Sequence, residues 1–147
     1  MSAVHEYPEY AFTTPPELAG GGEGHYPVVI VGAGPIGLAL AIDLDRKGIR
    51  CLVLDEDNTV SVGSRAICWA KRTLEIFDRL GCGQRMLDKG VTWNVGRIFF
   101  RDEPEPLYTF NLMQDEGQHF PAFINLQQYY FEEYLVDALA VHPLADL

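Results

Sequence analysis

The stretch that decides the fold runs from residue 28 to residue 57 and reads VVIVGAGPIGLALAIDLDRKGIRCLVLDED. It opens on Val28-Val29-Ile30-Val31, a β-branched and wholly apolar run of the kind found in strands buried on both faces of a parallel sheet. This run is expected to be the central strand. Glycines follow at once, and Leu38, Ala41, Ile42 and Leu44 then recur at helical spacing until Gly48, which sits where a helix C-terminus favours glycine. The pattern predicts a helix over Pro35 to Lys47. Cys51-Leu52-Val53-Leu54 is a second apolar run, so strand, helix and strand form one β-α-β unit whose right-handed crossover makes the two strands parallel neighbours.

Between the first strand and the helix lies Gly32-Ala33-Gly34-Pro35-Ile36-Gly37, a GxGxxG in the context that gives this motif its meaning. Gly32 makes the tight turn, Gly34 lets a pyrophosphate approach the backbone, and Gly37 lets helix and strand come close. Pro35 suits the first helical position, where its missing N–H would have no intrahelical partner. The free N–H groups near Ile36 and the positive end of the helix dipole then face the phosphates. Asp55 ends the second strand about 20 residues on, where a carboxylate accepts from both hydroxyls of an adenosine ribose and repels a 2′-phosphate. The ligand expected here is NAD-like or FAD-like, not NADP. The plainer alternatives are a chance strand-to-helix loop for the glycines and a solvated strand-end carboxylate for Asp55, with Glu56 as the competing ligand.

Working outward, 147 residues with 48% hydrophobic side chains describe one globular domain. Acidic side chains outnumber basic ones 21 to 11, a net charge of -10 that argues against nucleic acid and against docking on an anionic membrane. The longest apolar run, Tyr26 to Ile42, is broken by Gly32, Gly34, Pro35 and Gly37 and is too short to span a bilayer. Residues 1–20 have neither the basic nor the apolar region of a signal peptide, so the expected location is cytoplasmic. Cys51, Cys68 and Cys82 show no CxxC pair, and neither they nor His5, His25, His119 and His142 are assigned to a metal. Residues 1–25, rich in proline and glycine, are expected to be a flexible leader, and residues 26–147 the folded domain.

Further along, Ala70, Leu74 and Phe77 followed by Gly81 predict an amphipathic helix from about Ile67 to Leu80. Arg65 just before it is unfavourable beside a helix N-terminus unless an anion joins both, which a diphosphate would do; the plain alternative is an exposed arginine. A short helix is expected around Gln84 to Asp88, and a hairpin pairing Val95 to Phe100 with Leu107 to Leu112 around Glu103-Pro104-Glu105-Pro106. The last helix is expected to begin near Leu126 and reach Val141. Asn125 and Gln128 there read as a capping box, while Tyr129, Tyr130, Phe131 and Tyr134 read as packing residues.

Three segments together resemble the flavin-dependent aromatic hydroxylases, the family of p-hydroxybenzoate, phenol and 3-(3-hydroxyphenyl)propionate hydroxylases. VVIVGAGPIGLALAIDLDRKGIRCLVLDED resembles their first β-α-β unit, SRAICWAKRTLEIFDRLG their next helix with its preceding FAD-touching arginine, and NLQQYYFEEYL the segment whose glutamine meets the flavin side. The resemblance implies a Rossmann-like α/β fold and an FAD site. It places Gly32, Gly34, Gly37 and Asp55 at the diphosphate and ribose positions, Arg65 as the arginine that touches FAD and Gln128 toward the flavin, with Glu132 and Leu135 at matching later positions; Ile36 joins the candidate cofactor-binding residues through its helix-start amide. It also implies NADH or NADPH as co-substrate and oxygen transfer to a small phenolic ring. No catalytic side chain is assigned. The later family motifs have no counterpart up to Leu147, which implies a truncated N-terminal FAD-binding domain, inactive alone, with an incomplete parallel sheet of two strands and an exposed edge open to self-association. The other readings are the N-terminal part of a different flavoprotein, of epoxidase or halogenase type, and a non-catalytic dinucleotide-binding fragment.

Overall fold

The computed structural model describes residues 5–12, 14–63, 65–112 and 117–147. In chain order the elements are β1 (Val28–Val31), α1 (Pro35–Arg46), β2 (Cys51–Leu54), β3 (Cys68–Ala70), α2 (Lys71–Arg79) and α3 (Gly83–Lys89). They continue as β4 (Val91–Thr92), β5 (Val95–Ile98), β6 (Tyr108–Asn111), β7 (Phe123–Asn125), α4 (Gln128–Leu139) and β8 (Ala145–Asp146). The α/β class and the β-α-β unit stand as expected, with β1 and β2 parallel in register Val28 to Cys51 through Val31 to Leu54. The hairpin is also present, β5 and β6 pairing antiparallel.

The parallel sheet departs from expectation in two ways. Its order is β1-β2-β8, so β2 lies in the centre and β1 at an edge. Only the alternate residue Ile30 is buried on β1, while Val29 and Val31 are 51% and 86% exposed. An apolar run says that a strand has somewhere to be buried; it does not say that the residues described here cover both faces. The third parallel strand is also present, because Cys51 and Leu52 pair with Ala145 and Asp146 of β8. Among the described residues the edges of this sheet are β1 on one side and the two-residue β8 on the other.

The expected helix from Ile67 is corrected as well. Residues 68–70 form β3, which pairs antiparallel with β7 in the register Cys68–Asn125, Trp69–Ile124 and Ala70–Phe123; the helix starts only at Lys71. Helical spacing alone missed this because the competing partner lies far away in sequence, and a β-branched and an aromatic residue at 67 and 69 suit the strand. β4 completes this second sheet on the other side of β7. The last helix begins at Gln128, two residues later than expected, since Asn125 belongs to β7.

The core forms where α1, α4 and α2 meet the two sheets. Leu38, Ala41 and Ile42 of α1 lie buried with Phe131, Leu135 and Leu139 of α4 and Leu74 and Phe77 of α2. Trp69 stacks on Phe131 at 3.9 Å between ring centroids, and Phe77 meets the same ring edge-on at 5.1 Å. Each such large apolar side chain contributes about 1.5–3 kcal/mol on burial, so Phe131 joins α4 to β3 of the second sheet and to α2.

Within the expected leader, residues 5–10 make specific contacts with the body. The Tyr10 N–H donates to Asn58 O at 2.7 Å, Thr59 Oγ1 donates to Pro8 O at 2.6 Å, and His5 stacks on Tyr129 at 4.2 Å. Residues 1–4 and 13 of that leader lie outside the described residues.

Candidate dinucleotide site

The β1–α1 turn carries three glycines with three different reasons. Gly32 has φ +104°, a left-handed backbone that side chains rarely adopt, and it closes the turn by donating its N–H to Leu54 O at 2.7 Å. Gly37 sits against β1: a Cβ there would collide with the carbonyl oxygen of Gly32 and lie 3.3 Å from Ile30 Cγ2. Gly34 is different. Its φ of -72° and ψ of -177° suit any residue, and an added Cβ would meet only Glu132 Oε1 at an ordinary 3.9 Å. Neither strain nor internal contact demands glycine at 34. What its missing side chain provides is open backbone at the start of α1, where the first-turn amides of Ile36 and Gly37 have no partner within the helix. Ile36 itself is 82% exposed at that mouth.

Asp55 stands where expected, one residue beyond β2. Its Oδ2 accepts the Ala33 N–H at 2.5 Å and its Oδ1 the Asp57 N–H at 3.0 Å. The exposed carboxylate is thus tied to the glycine loop, and it keeps lone pairs for further donors.

Gln128 and Arg65 arrive from the other side. Gln128 is the first residue of α4, and its side chain does not close a capping box: Asn125 Oδ1 accepts from Trp93 Nε1 at 2.9 Å instead, and α4 has no side-chain cap. The Gln128 amide faces the loop after β2, its Oε1 accepting the Ala66 N–H at 3.2 Å and its Nε2 donating to Ser61 Oγ at 3.1 Å and Glu132 Oε1 at 2.7 Å. Arg65 is the neighbour of that bonded amide and is exposed, making no ion pair with the described residues. It precedes a strand, so the argument from an unfavourable helix N-terminus does not apply, and its free guanidinium remains.

The chain of contacts from Gly34 to Glu132, Gln128 and Ala66 brings the glycine loop, α4 and the Arg65 loop to one locus. Sequence reasoning missed Ser61, a lone serine in a loop without local pattern. The pairing of Gln128 with Glu132 follows the i, i+4 spacing of a helix face and was readable. The donor set has the chemistry that a dinucleotide diphosphate would need: helix-start amides without intrahelical partners, an exposed arginine with no ion pair among the described residues, and a carboxylate bonded to the glycine loop, with room where a Cβ at 34 would stand. Elsewhere the chemistry is quiet. Burial pushes the Cys82 thiol up to about 11 and raises that of Cys51.

Residues 25–147 match the family model described as FAD binding domain. A flavin-dependent monooxygenase of Mycobacteroides abscessus is 37% identical over 119 residues, 76% of this chain and 25% of that protein. A probable NADH-specific resorcinol 4-hydroxylase of Rhodococcus jostii is 28% identical over 137 residues, covering 93% of this chain and 25% of the relative. The chain spans about a quarter of the length of these relatives. Among solved structures, p-nitrophenol 4-monooxygenase PnpA from Pseudomonas putida DLL-E4 superposes with a TM-score of 0.71 at 27% identity, over 81% of this chain and 30% of that one. The flavin-dependent monooxygenase PieE, solved with FAD and substrate, does so with a TM-score of 0.69 at 25% identity, over 83% of this chain and 23% of its own. With its Rossmann-like fold, its glycine loop and these relatives, the chain belongs to the FAD binding domain family of the flavin-dependent aromatic monooxygenases.

Proposed function

We propose that this chain is the FAD-holding part of an NAD(P)H-dependent monooxygenase acting on a small phenolic ring, and that it binds FAD without turning over substrate by itself. The observation that carries the proposal is Gly34, a glycine that nothing within the chain requires, at an open helix start with Asp55 and Arg65 at hand. In this reading the amides of Ile36 and Gly37 and the Arg65 guanidinium bind the diphosphate across Gly32 and Gly34. Asp55 accepts from the ribose hydroxyls while staying bonded to Ala33, so that the loop and the sugar share one anchor. Gln128 presents the remaining lone pair of Oε1 toward the flavin side. Bound flavin would supply the reduction and oxygen chemistry, which no side chain here replaces.

Among the described residues no helix is long and apolar enough to cross a membrane. A cytoplasmic location, an absence of nucleic-acid partners given the net charge of -10, and self-association through the open β1 edge belong to the proposal. The test is a titration of the chain with FAD and, separately, NAD, followed by flavin fluorescence and thermal melting. Saturable FAD binding that weakens about tenfold or more in Asp55→Ala and in Arg65→Ala is expected, the loss of a charge-assisted contact being worth at least that. Melting behaviour indifferent to FAD would remove the proposal.

A further inference from the structure

We propose that Glu132 is a positioning residue of the FAD site: its buried carboxylate fixes the direction of the Gln128 amide and the seating of the loop that carries Ser61 and Ala66. The inference rests on the FAD reading above and adds a residue that acts through another. Glu132 lies in the second turn of α4 and is 3% exposed, a charged side chain inside an apolar core. Removing a carboxylate from water is unfavourable unless donors or cations replace the water, and among the described residues no cation does so. Hydrogen bonds do. Oε2 accepts the Ser61 N–H at 2.5 Å, the Ser61 hydroxyl lies 2.6 Å from both oxygens, and Oε1 accepts from Gln128 Nε2 at 2.7 Å.

This set has a direction. An ionised carboxylate only accepts, so the amide of Gln128 must turn its nitrogen end to Glu132. The second proton of that nitrogen goes to Ser61 Oγ at 3.1 Å, and Oε1 is left pointing at the Ala66 N–H, 3.2 Å away. Flipping the amide would set an oxygen against a carboxylate and an NH₂ group against an N–H. The carboxylate thereby decides which face Gln128 offers to a ligand and where the residue next to Arg65 lies. Because Glu132 Oε1 is also 3.9 Å from where a Cβ of Gly34 would stand, the clamp and the glycine loop share one wall. The geometry assigns Glu132 to holding two ligand-facing groups and to no contact with the reacting atoms.

Glu132→Gln is the sharper variant, because it keeps the volume while offering one acceptor oxygen and placing new donors among donors. In the full chain titrated with FAD by fluorescence quenching, E132Q is expected to raise Kd about tenfold, and Gln128→Ala by a similar factor. If Glu132 acts through Gln128, the double substitution raises Kd no further than either alone, and the visible spectrum of the bound flavin shifts alike in all three. Ser61→Ala removes the bridging hydroxyl at small structural cost and is expected to raise Kd about threefold, again without addition to Gln128→Ala; it carries the same cycle if E132Q does not fold. An unchanged Kd in a folded E132Q, or losses that add to those of Gln128→Ala, overturn the positioning role while normal wild-type binding keeps the FAD reading. A wild-type chain that takes no FAD overturns that reading, and the role of Glu132 falls with it.

Discussion

The two walls of the site are built on opposite principles. The glycine-loop wall, β1, α1 and β2, is contiguous in sequence, and its groups are fixed by backbone constraints: a left-handed Gly32, a Gly37 pressed on Gly32, an Asp55 bonded to Ala33. The clamp wall gathers Ser61, Ala66, Gln128 and Glu132 from segments some 70 residues apart, 71 in the case of Ser61 and Glu132, and fixes them by side-chain hydrogen bonds on an aromatic base. At Gly32 and Gly37 the first wall tolerates almost no change of shape; the second wall depends on the chemistry of its side chains. Substitutions that alter one property at a time separate the two.

The largest effect is expected beneath the clamp wall. Phe131 is fully buried between Trp69 and Phe77, so Phe131→Ala leaves a cavity between α4, β3 and α2 and should cost about 3–5 kcal/mol in urea unfolding. A loss below about 1 kcal/mol would mean that the wall does not depend on this base.

The glycine-loop wall is tested by a pair. Gly37→Ala forces a methyl group into the Gly32 carbonyl, whose backbone has little room to move, and is expected to cost about 1–3 kcal/mol of stability. Gly34→Ala meets nothing closer than 3.9 Å and should leave stability within about 0.5 kcal/mol of wild type or raise it, because glycine loses the most chain entropy on folding. Its cost should appear only as weakened FAD binding, read by fluorescence titration on the same samples. Equal destabilisation by both substitutions would erase the distinction between a glycine kept for the fold and one kept for a ligand.

The same contrast explains what was legible in the sequence. β1, α1 and β2 could be read because their signals are local: apolar runs, a helical period and glycine spacing lie within one short segment. β3 was misread as helix because its partner, β7, lies beyond two helices and a hairpin, and a period of apolar residues carries no information about a distant strand. Asn125 and Gln128 had the spacing of a capping box, yet tertiary partners outbid the local bond, Trp93 for one and the Ser61 loop for the other. Among the candidate site residues, the glycines and Asp55 follow from the motif itself, whereas Gln128 needed the family resemblance, and Arg65 was singled out by an expected helix start that is in fact strand β3, which leaves the resemblance to support it.

A third device holds the end of the chain to the first wall, and pH reaches it. Asp45, on the last turn of α1, accepts the Leu144 N–H at 2.7 Å and pairs with His142 Nδ1 at 2.6 Å, which sets β8 beside β2. The His142 hydrogen bond, against some opposing desolvation and aided by the Leu144 amide, holds the Asp45 carboxyl below its usual 3.8. A carboxyl with a folded pKa below its unfolded one binds fewer protons in the native state. Its contribution is therefore complete above about pH 5 and is lost as pH falls through 3.8 toward the folded value. Asp45→Asn should accordingly unfold at lower urea than wild type at pH 6, with the gap between the two midpoints narrowing by pH 3. Other carboxylates shift both proteins together, so the gap isolates Asp45. A gap that stays constant from pH 6 to pH 3 would show that β8 is seated by its ladder bonds and the Leu144 amide alone, and that the charge on Asp45 adds nothing to them.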